Sequence, residues 1–486
     1  MIWGISRSHL TVVHERSGVP GLGVWIGLLC TAPHGRLKTR FVPRDAPTIR
    51  IIGAGLAGCE AAWQAALRGV EVHLHEMKPQ QFSPAHESSD FAELVCSNSL
   101  RSASLNNAVG VLKEEMRRLG SLILEAADEC AVPAGRALAV DRVAFARRIT
   151  ERIESHPRIH VKHGVVEKIP TDGTVILATG PLTASELARD LQELLGETSL
   201  YFYDALSPIV YADSIDHSVA FRASRYQESG GDYLNLPLER AEYAAFIDEL
   251  LAAETVPLHA FEASLYFEGC LPIEEMARRG RETPAHGPMK PVGLTDPRTG
   301  RRSAAVVQLR QEDKRGVLYN LVGFQTKLRI GEQKRILRTL PGLKGAVFAR
   351  FGSVHRNTYI NAPRLLTPDL QVRARPGLYV AGQMAGVEGY VESAALGFLC
   401  GIAAARRERG LETLAPDRQT AHGALLGHLS EANPDNFQPM NVNFGLFPPL
   451  EGVKSRMRKR EKNERLAKRA LEALEAFRAA SAELVQ

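Results

Sequence analysis

Three strand-plus-glycine segments spread along 486 residues predict an α/β protein. The first is Thr48–Ile52 running into Gly53-Ala54-Gly55-Leu56-Ala57-Gly58. The second is GTVILATG at 173–180, and the third is GLYVAGQ at 377–383. Between the last two, residues 196–344 carry strand-like runs and a helix of a different pattern. The predicted architecture is a Rossmann-like dinucleotide-binding domain, 49–195 plus 345–450, with an inserted α+β domain.

Residues 1–47 come before any fold signal. The apolar run Gly21–Ala32 follows Arg7 and Arg16 and faintly resembles a signal peptide. It is Gly-rich and basic residues also follow it, so it reads better as a disordered extension from an early start codon. This stretch skews the charge. The chain is formally +5, and residues 1–50 hold seven Lys/Arg and two acids. The other 436 residues hold 53 of each, so net charge alone does not describe a basic protein body.

The first segment is a complete β–α–β start. CEAAWQAALRG continues the glycine loop as an Ala-rich helix, and VEVHLHE at 70–76 alternates apolar and polar as a strand does. Gly53 allows a tight turn, Gly55 lets backbone approach a pyrophosphate, and Gly58 lets helix and strand pack closely. Ala54, Leu56 and Ala57 complete the loop that presents helix N–H groups to phosphate. Glu76 ends the second strand, where an acid accepts ribose hydroxyls and favours FAD or NAD over a 2′-phosphate. Lys78 reads as a surface charge.

The three segments together resemble the flavoprotein fold of the glutathione-reductase type, in which the late strand and helix hold the flavin end of FAD. Where many such proteins have Gly-Asp, this chain has Gly382-Gln383, so Gln383 is the candidate for the ribityl contact. Tyr390 and Glu392 fall in the flavin-end turn, before a helix over 391–406. The insertion contains YFYDALSPIVYADSI, SAAVVQL and LYNLVGFQT as strand candidates, a helix over 238–252 and a Gly/Pro-rich linker. A helical C-terminus is expected from Glu451. Its segment 454–469 has nine bases and two acids, which fits a solvated helix face or a nucleic-acid backbone contact.

Six cysteines stand at 30, 59, 96, 130, 270 and 400, with no CxxC. That argues against a zinc ribbon or a redox pair and reads as reduced thiols in the cytoplasm. No HExxH occurs, so no metal is expected, and no apolar run is long enough for a membrane helix. Cys96 lies in ELVCSNSLR, where small polar neighbours suit a loop and Arg101 could stabilise a thiolate. Cys270 follows a glycine and precedes Leu-Pro, as on a turn. Cys59 and Cys400, in helices, read as packed small hydrophobes. Cys30 and Cys130 have no supporting context.

Longer motifs are more specific. GAGLAGCEAAWQAALRGVEVHLHEMKP, ELVCSNSLRS, FEGCLPIEEMARRG, GPMKPVGL, QLRQED, LYNLVGFQTKL, NTYINAP and LYVAGQMAGVEGYVESAALGFLCG occur in order over about 49–450. They resemble the bacterial folate- and FAD-dependent tRNA (uracil-5-)-methyltransferases, the TrmFO family, which is related to MnmG/GidA. The resemblance implies methylation of uridine 54 in the tRNA T-loop to ribothymidine. It implies 5,10-methylenetetrahydrofolate as carbon donor, FAD as methylene relay and reductant, and NADH or NADPH as electron source. Uracil C5 is a poor nucleophile, and a thiolate adding at C6 activates it. Cys96 and Cys270 match the family's functional cysteines, with Cys270 favoured as the nucleophile and Cys96 near the flavin. Lys290 could contact folate or tRNA phosphate. His355, Arg356, Asn357 and Tyr359 could line a folate pocket. Lys459, Arg460 and Lys462 are candidate tRNA-backbone contacts. The other readings are an MnmG-like enzyme of wobble uridine, a non-catalytic flavin protein that binds tRNA or senses redox state, and a plain NAD(P)H–flavin oxidoreductase. The oligomeric state is not legible.

Overall fold

The computed structural model describes residues 47–196, 200–225, 231–256, 271–451 and 457–482. The first β–α–β unit forms as expected, with strand Thr48–Ile52, helix Leu56–Leu67 and strand Glu71–Glu76. The other two strand-plus-glycine segments become sheet neighbours of that unit. The five-stranded parallel sheet runs Leu378–Val380, Thr174–Leu177, Thr48–Ile52, Glu71–Glu76, Ile159–His163. Ile49, Ile51, Val72, Leu74, Val175 and Ile176 are buried in its core. Burying these apolar side chains is the main favourable term in the domain.

Two helices lie against each other beside this sheet. Helix Leu56–Leu67 packs on the late helix Tyr390–Glu408 along a seam of small residues. A Cβ added at Gly397 would sit 2.1 Å from the Ala57 carbonyl oxygen, and one at Gly401 2.5 Å from that of Ala61. Only glycine permits so close an approach.

The insertion forms a six-stranded antiparallel sheet. Its order is Phe221–Ala223, Tyr233–Leu238, Ala305–Gln311, Leu318–Leu321, Ile209–Tyr211, Phe348–Arg350. Strand period 2 divides its faces. Ala305, Val307 and Leu309 join a core with helix Arg240–Ala252, while Gln308 and Arg310 point to the opposite face. The sheet extends to Phe348–Arg350, so it takes in a strand beyond the expected boundary at 344. The chain enters and leaves the insertion through an antiparallel ribbon of Leu200–Ala205 and Val354–Tyr359.

The C-terminal helix is Lys459–Ala482, starting later than Glu451. Leu466, Ala467, Ala470, Leu474 and Phe477 form its buried stripe, and it packs against helix Ala108–Arg118. No described helix is long and apolar enough to cross a membrane.

Candidate functional site

A cleft opens at the carboxyl ends of the parallel strands, the usual ligand position in such sheets. Its walls include Gly53–Ala57, Glu76–Lys78, Gly164–Val166, Thr179–Ala184, Gly382, Gln383 and Tyr390. Gly53 has φ +99, and a Cβ there would lie 2.6 Å from the Ala178 carbonyl oxygen. A Cβ at Gly58 would lie 1.8 Å from the Gly53 carbonyl oxygen. At Gly55 a Cβ would meet nothing within 4 Å. That glycine therefore does not serve packing; it leaves space along the cleft wall. Helix Leu56–Leu67 has no side-chain N-cap bond, so its first N–H groups remain available to an anion.

Glu76 sits beside this loop and is almost fully buried. Its Oε2 accepts the Ala54 N–H at 2.7 Å, and its Oε1 accepts the Lys78 N–H at 3.0 Å. Lys78 is not the surface charge expected from the sequence. It is 3 % exposed, and its ammonium donates to the Ser88 and Asp90 carbonyls at 3.1 and 2.5 Å. The segment carrying those carbonyls has folded over it, which no local pattern announced.

At the other end of the cleft, Gln383 donates from Nε2 to Glu388 at 2.6 Å. Tyr390 starts the late helix, and its hydroxyl oxygen accepts the N–H of Cys96 at 2.7 Å and of Ser97 at 3.2 Å. Burial pushes the Tyr390 hydroxyl far above the ordinary tyrosine range, and negative charge at Cys96 pushes it the same way. Tyr390 thus stays a neutral hydroxyl while holding the cysteine loop.

Cys96 is unbridged and half-buried. Its neighbours in the loop are pinned individually. Arg142 donates to the Leu94 carbonyl and, at 2.7 Å, to Glu312. Arg350 donates to the Val95 carbonyl. Arg310 donates to Ser97 Oγ at 2.6 Å and Asn98 Oδ1 at 2.8 Å. Arg101, a candidate to stabilise a thiolate, engages a carboxylate. It has φ +63 and pairs with Glu392, which is fully buried and also accepts the Val442 N–H at 2.9 Å. The cations that sense a charge at Cys96 are Arg142, Arg310 and Arg350. Lys113, unnoticed in the sequence, is buried behind this turn. Its ammonium donates to the Leu100 and Arg101 carbonyls at 2.7 and 3.3 Å. Burial, then the Arg101 charge, lowers its pKa to about 7.

The remaining candidates lie elsewhere. Cys270 is outside the described residues; after it, Leu271 and Ile273 are buried and Ile273 N–H donates to the Gln325 carbonyl at 2.8 Å. Lys290 is half-buried, and its carbonyl accepts from Arg225 at 2.6 Å. His355 and Arg356 are described only by their backbone, in the two-stranded ribbon. Asn357 and Tyr359 are buried; Tyr359 donates to the Phe437 carbonyl at 3.4 Å, and the two rings lie tilted at 58° to each other. Lys459, Arg460 and Lys462 are exposed on the last helix, with Arg460 paired to Glu464 at 2.9 Å. The fold therefore gathers the glycine loop, Glu76, Gln383 and Tyr390 on one cleft and ties Cys96 to it. Lys290, Tyr359 and the basic helix do not line that cleft. Thr179, Thr183 and Ser393 do line it, and only the nearby glycine turns point to them in the sequence. Cys59 and Cys400 are packed, as expected, and burial raises both thiols. No cluster of three or more His, Cys, Asp or Glu that could hold a metal occurs among the described residues.

The family model described as Glucose inhibited division protein A matches residues 48–412. The chain is 59% identical over 435 residues to "Methylenetetrahydrofolate--tRNA-(uracil-5-)-methyltransferase TrmFO" of Syntrophotalea carbinolica, covering 89% of this chain and 94% of that protein. It is 61% identical over 424 residues to the protein of the same name from Geotalea uraniireducens, covering 87% and 97%. Among solved structures, Aquifex aeolicus GidA in the form I crystal aligns with a TM-score of 0.64 at 17% identity. That alignment covers 90% of this chain and 77% of GidA and shows a shared fold.

Proposed function

The chain belongs to the TrmFO family of methylenetetrahydrofolate--tRNA-(uracil-5-)-methyltransferases, within the wider GidA group, and on that premise we propose how its residues divide the work. It methylates C5 of a uridine in tRNA, with methylenetetrahydrofolate as the carbon donor. We assign the target as uridine 54 and the reductant as NADH or NADPH, in the cytoplasm.

The cleft fits FAD. The open side of Gly55 and the uncapped helix N-terminus suit a pyrophosphate. Glu76 accepts ribose hydroxyls, and Gln383 takes the ribityl contact at the far end. FAD, when bound, supplies two-electron redox chemistry beside the cysteine loop. The observation that carries this reading is the Tyr390 hydroxyl, a cleft-lining group that accepts the Cys96 N–H at 2.7 Å. It ties a thiol to the flavin end of the cleft.

In this reading Cys270 adds to C6 of the flipped-out uracil, which makes C5 nucleophilic toward the one-carbon unit. Cys96 stays next to the flavin. Lys290, His355, Arg356 and Tyr359 are assigned to folate or phosphate contacts. Lys459, Arg460 and Lys462 bind tRNA backbone.

The test is nucleoside analysis after incubating FAD-loaded protein with unmodified tRNA, methylenetetrahydrofolate and NADPH. Ribothymidine is expected, and its absence from active FAD-bound protein rejects the reading. With 5-fluorouridine tRNA, Cys270→Ala should abolish the covalent adduct. An adduct that survives Cys270→Ala but not Cys96→Ala reverses the cysteine roles.

A further inference from the structure

We infer that Arg310 and Arg350, both from the inserted sheet, are positioning residues for Cys96 in the other domain. The argument begins with strand register. Tyr233 pairs with Arg310, Arg310 with Asn320, Asn320 with Ile209, and Ile209 with Arg350. Directly paired residues project to the same face of a sheet. One transverse rung therefore carries both arginines, at either side of Asn320 and Ile209, and a register shift between Phe348 and Arg350 brings Arg350 opposite Ile209 and off the core face that Phe348 joins.

That face meets the cysteine loop. Arg350 takes the Val95 carbonyl, before Cys96; Arg310 takes Ser97 Oγ and Asn98 Oδ1, after it. The two grips thus bracket Cys96. The Tyr390 hydroxyl takes the Cys96 and Ser97 amide hydrogens. Asn98 is fixed further by donating to the Val140 and Gln311 carbonyls, both at 2.9 Å. The residues on both sides of Cys96 are therefore held, while Cys96 itself is unbridged and half-buried.

The grip has a cost that packing alone would avoid. Burial lowers the Arg310 pKa, so its charged form is disfavoured where it stands. An apolar residue would suit a buried sheet face better. A fork-shaped cation is useful there because it fixes two acceptors at once.

The inference rests on the proposed reaction, and its test separates the two. Arg310→Met, Arg350→Met and Arg310→Lys are made in the full-length, FAD-loaded protein. Ribothymidine formation is measured, and alkylation by iodoacetamide is followed residue by residue, with buried Cys59 and Cys400 as internal controls. Each Met variant should lower kcat by about tenfold or more, with KM for tRNA and for folate within about twofold of wild type. Cys96 alkylation should rise by about fivefold, because the loop loosens, while FAD content stays constant. Arg310→Lys keeps the charge and one donor, so it should recover part of both effects. Unchanged kcat and unchanged Cys96 alkylation in both Met variants overturn the inference. So does a loss of kcat accompanied by FAD release and alkylation of Cys59, which marks general unfolding. If wild type forms no ribothymidine yet Cys96 alkylation still responds to Arg310→Met, the reaction assignment falls and the positioning role stands.

Discussion

Removing Arg101 should expose how far the flavin-end turn depends on one ion pair. Glu392 has a side chain 0% exposed, Arg101 one 37% exposed, and the two are in direct contact. Arg101→Met leaves a buried carboxylate held by the Val442 N–H at 2.9 Å, and Glu392 Oε2 has no hydrogen-bond partner among the described residues. Breaking a fully buried pair costs about 3–5 kcal/mol. The partial exposure of Arg101 and the retained N–H place this case near the low end, about 3 kcal/mol. In a domain of this size that lowers Tm by about 6–12 °C. Thermal unfolding followed by flavin fluorescence reads it directly. Adding Glu392→Gln to Arg101→Met removes the stranded charge and should restore more than half of the loss. A single Arg101→Met variant within about 1 °C of wild type would falsify the reasoning, since a buried carboxylate could then stand unpaired at no cost.

Other perturbations give distinct signatures. Lys113 has a folded pKa of about 7 against an ordinary 10.5. Between those values the unfolded chain binds a proton that the folded chain lacks, so stability rises with pH across that window, by up to about 1.4 kcal/mol per unit. Urea unfolding at pH 7 and pH 9 should show the rise, and Lys113→Met should flatten it; an equal rise in the variant refutes the assignment. Gly397→Ala drives a Cβ to 2.1 Å from the Ala57 carbonyl oxygen, a backbone atom, and should cost about 1–3 kcal/mol. Gly55→Ala meets nothing within 4 Å. It should leave the apoprotein Tm unchanged within about 1 °C yet weaken FAD binding by about tenfold. Neutralising Lys459, Arg460 and Lys462 together should reduce the salt slope of tRNA binding by about two without releasing FAD; an unchanged slope assigns the run to a solvated helix face.

What the sequence made legible was local. The strand, loop and helix over 48–67 follow from pattern and glycine spacing, and both later strands were visible as apolar runs ending in glycine. Cys96 stood out because its neighbours are small and polar. The surroundings of Cys96 were not legible, because they come from far along the chain. Arg310 is 212 residues from Asn98, and Arg350 is 255 from Val95. Only sheet register brings them to the loop. The ion pair of Arg101 was equally hidden, since a backbone turn at φ +63 brings it to Glu392, 291 residues away. Lys78 failed for a related reason. The strand ends at Glu76, and the segment that covers the lysine has no periodicity of its own.

The paired strands Leu200–Ala205 and Val354–Tyr359 place the insertion's entrance and exit side by side. In terms of modular descent, such a doorway lets a whole cassette be exchanged without rethreading the host domain, as domain insertions at adjoining ends generally allow. The host would keep its parallel sheet, its glycine loop and its cleft. What it would lose is Arg310 and Arg350, and with them the hold on Cys96. Recombination at this doorway would therefore trade the cysteine's placement before it touched the dinucleotide site, so new chemistries could arise on an unchanged cofactor platform.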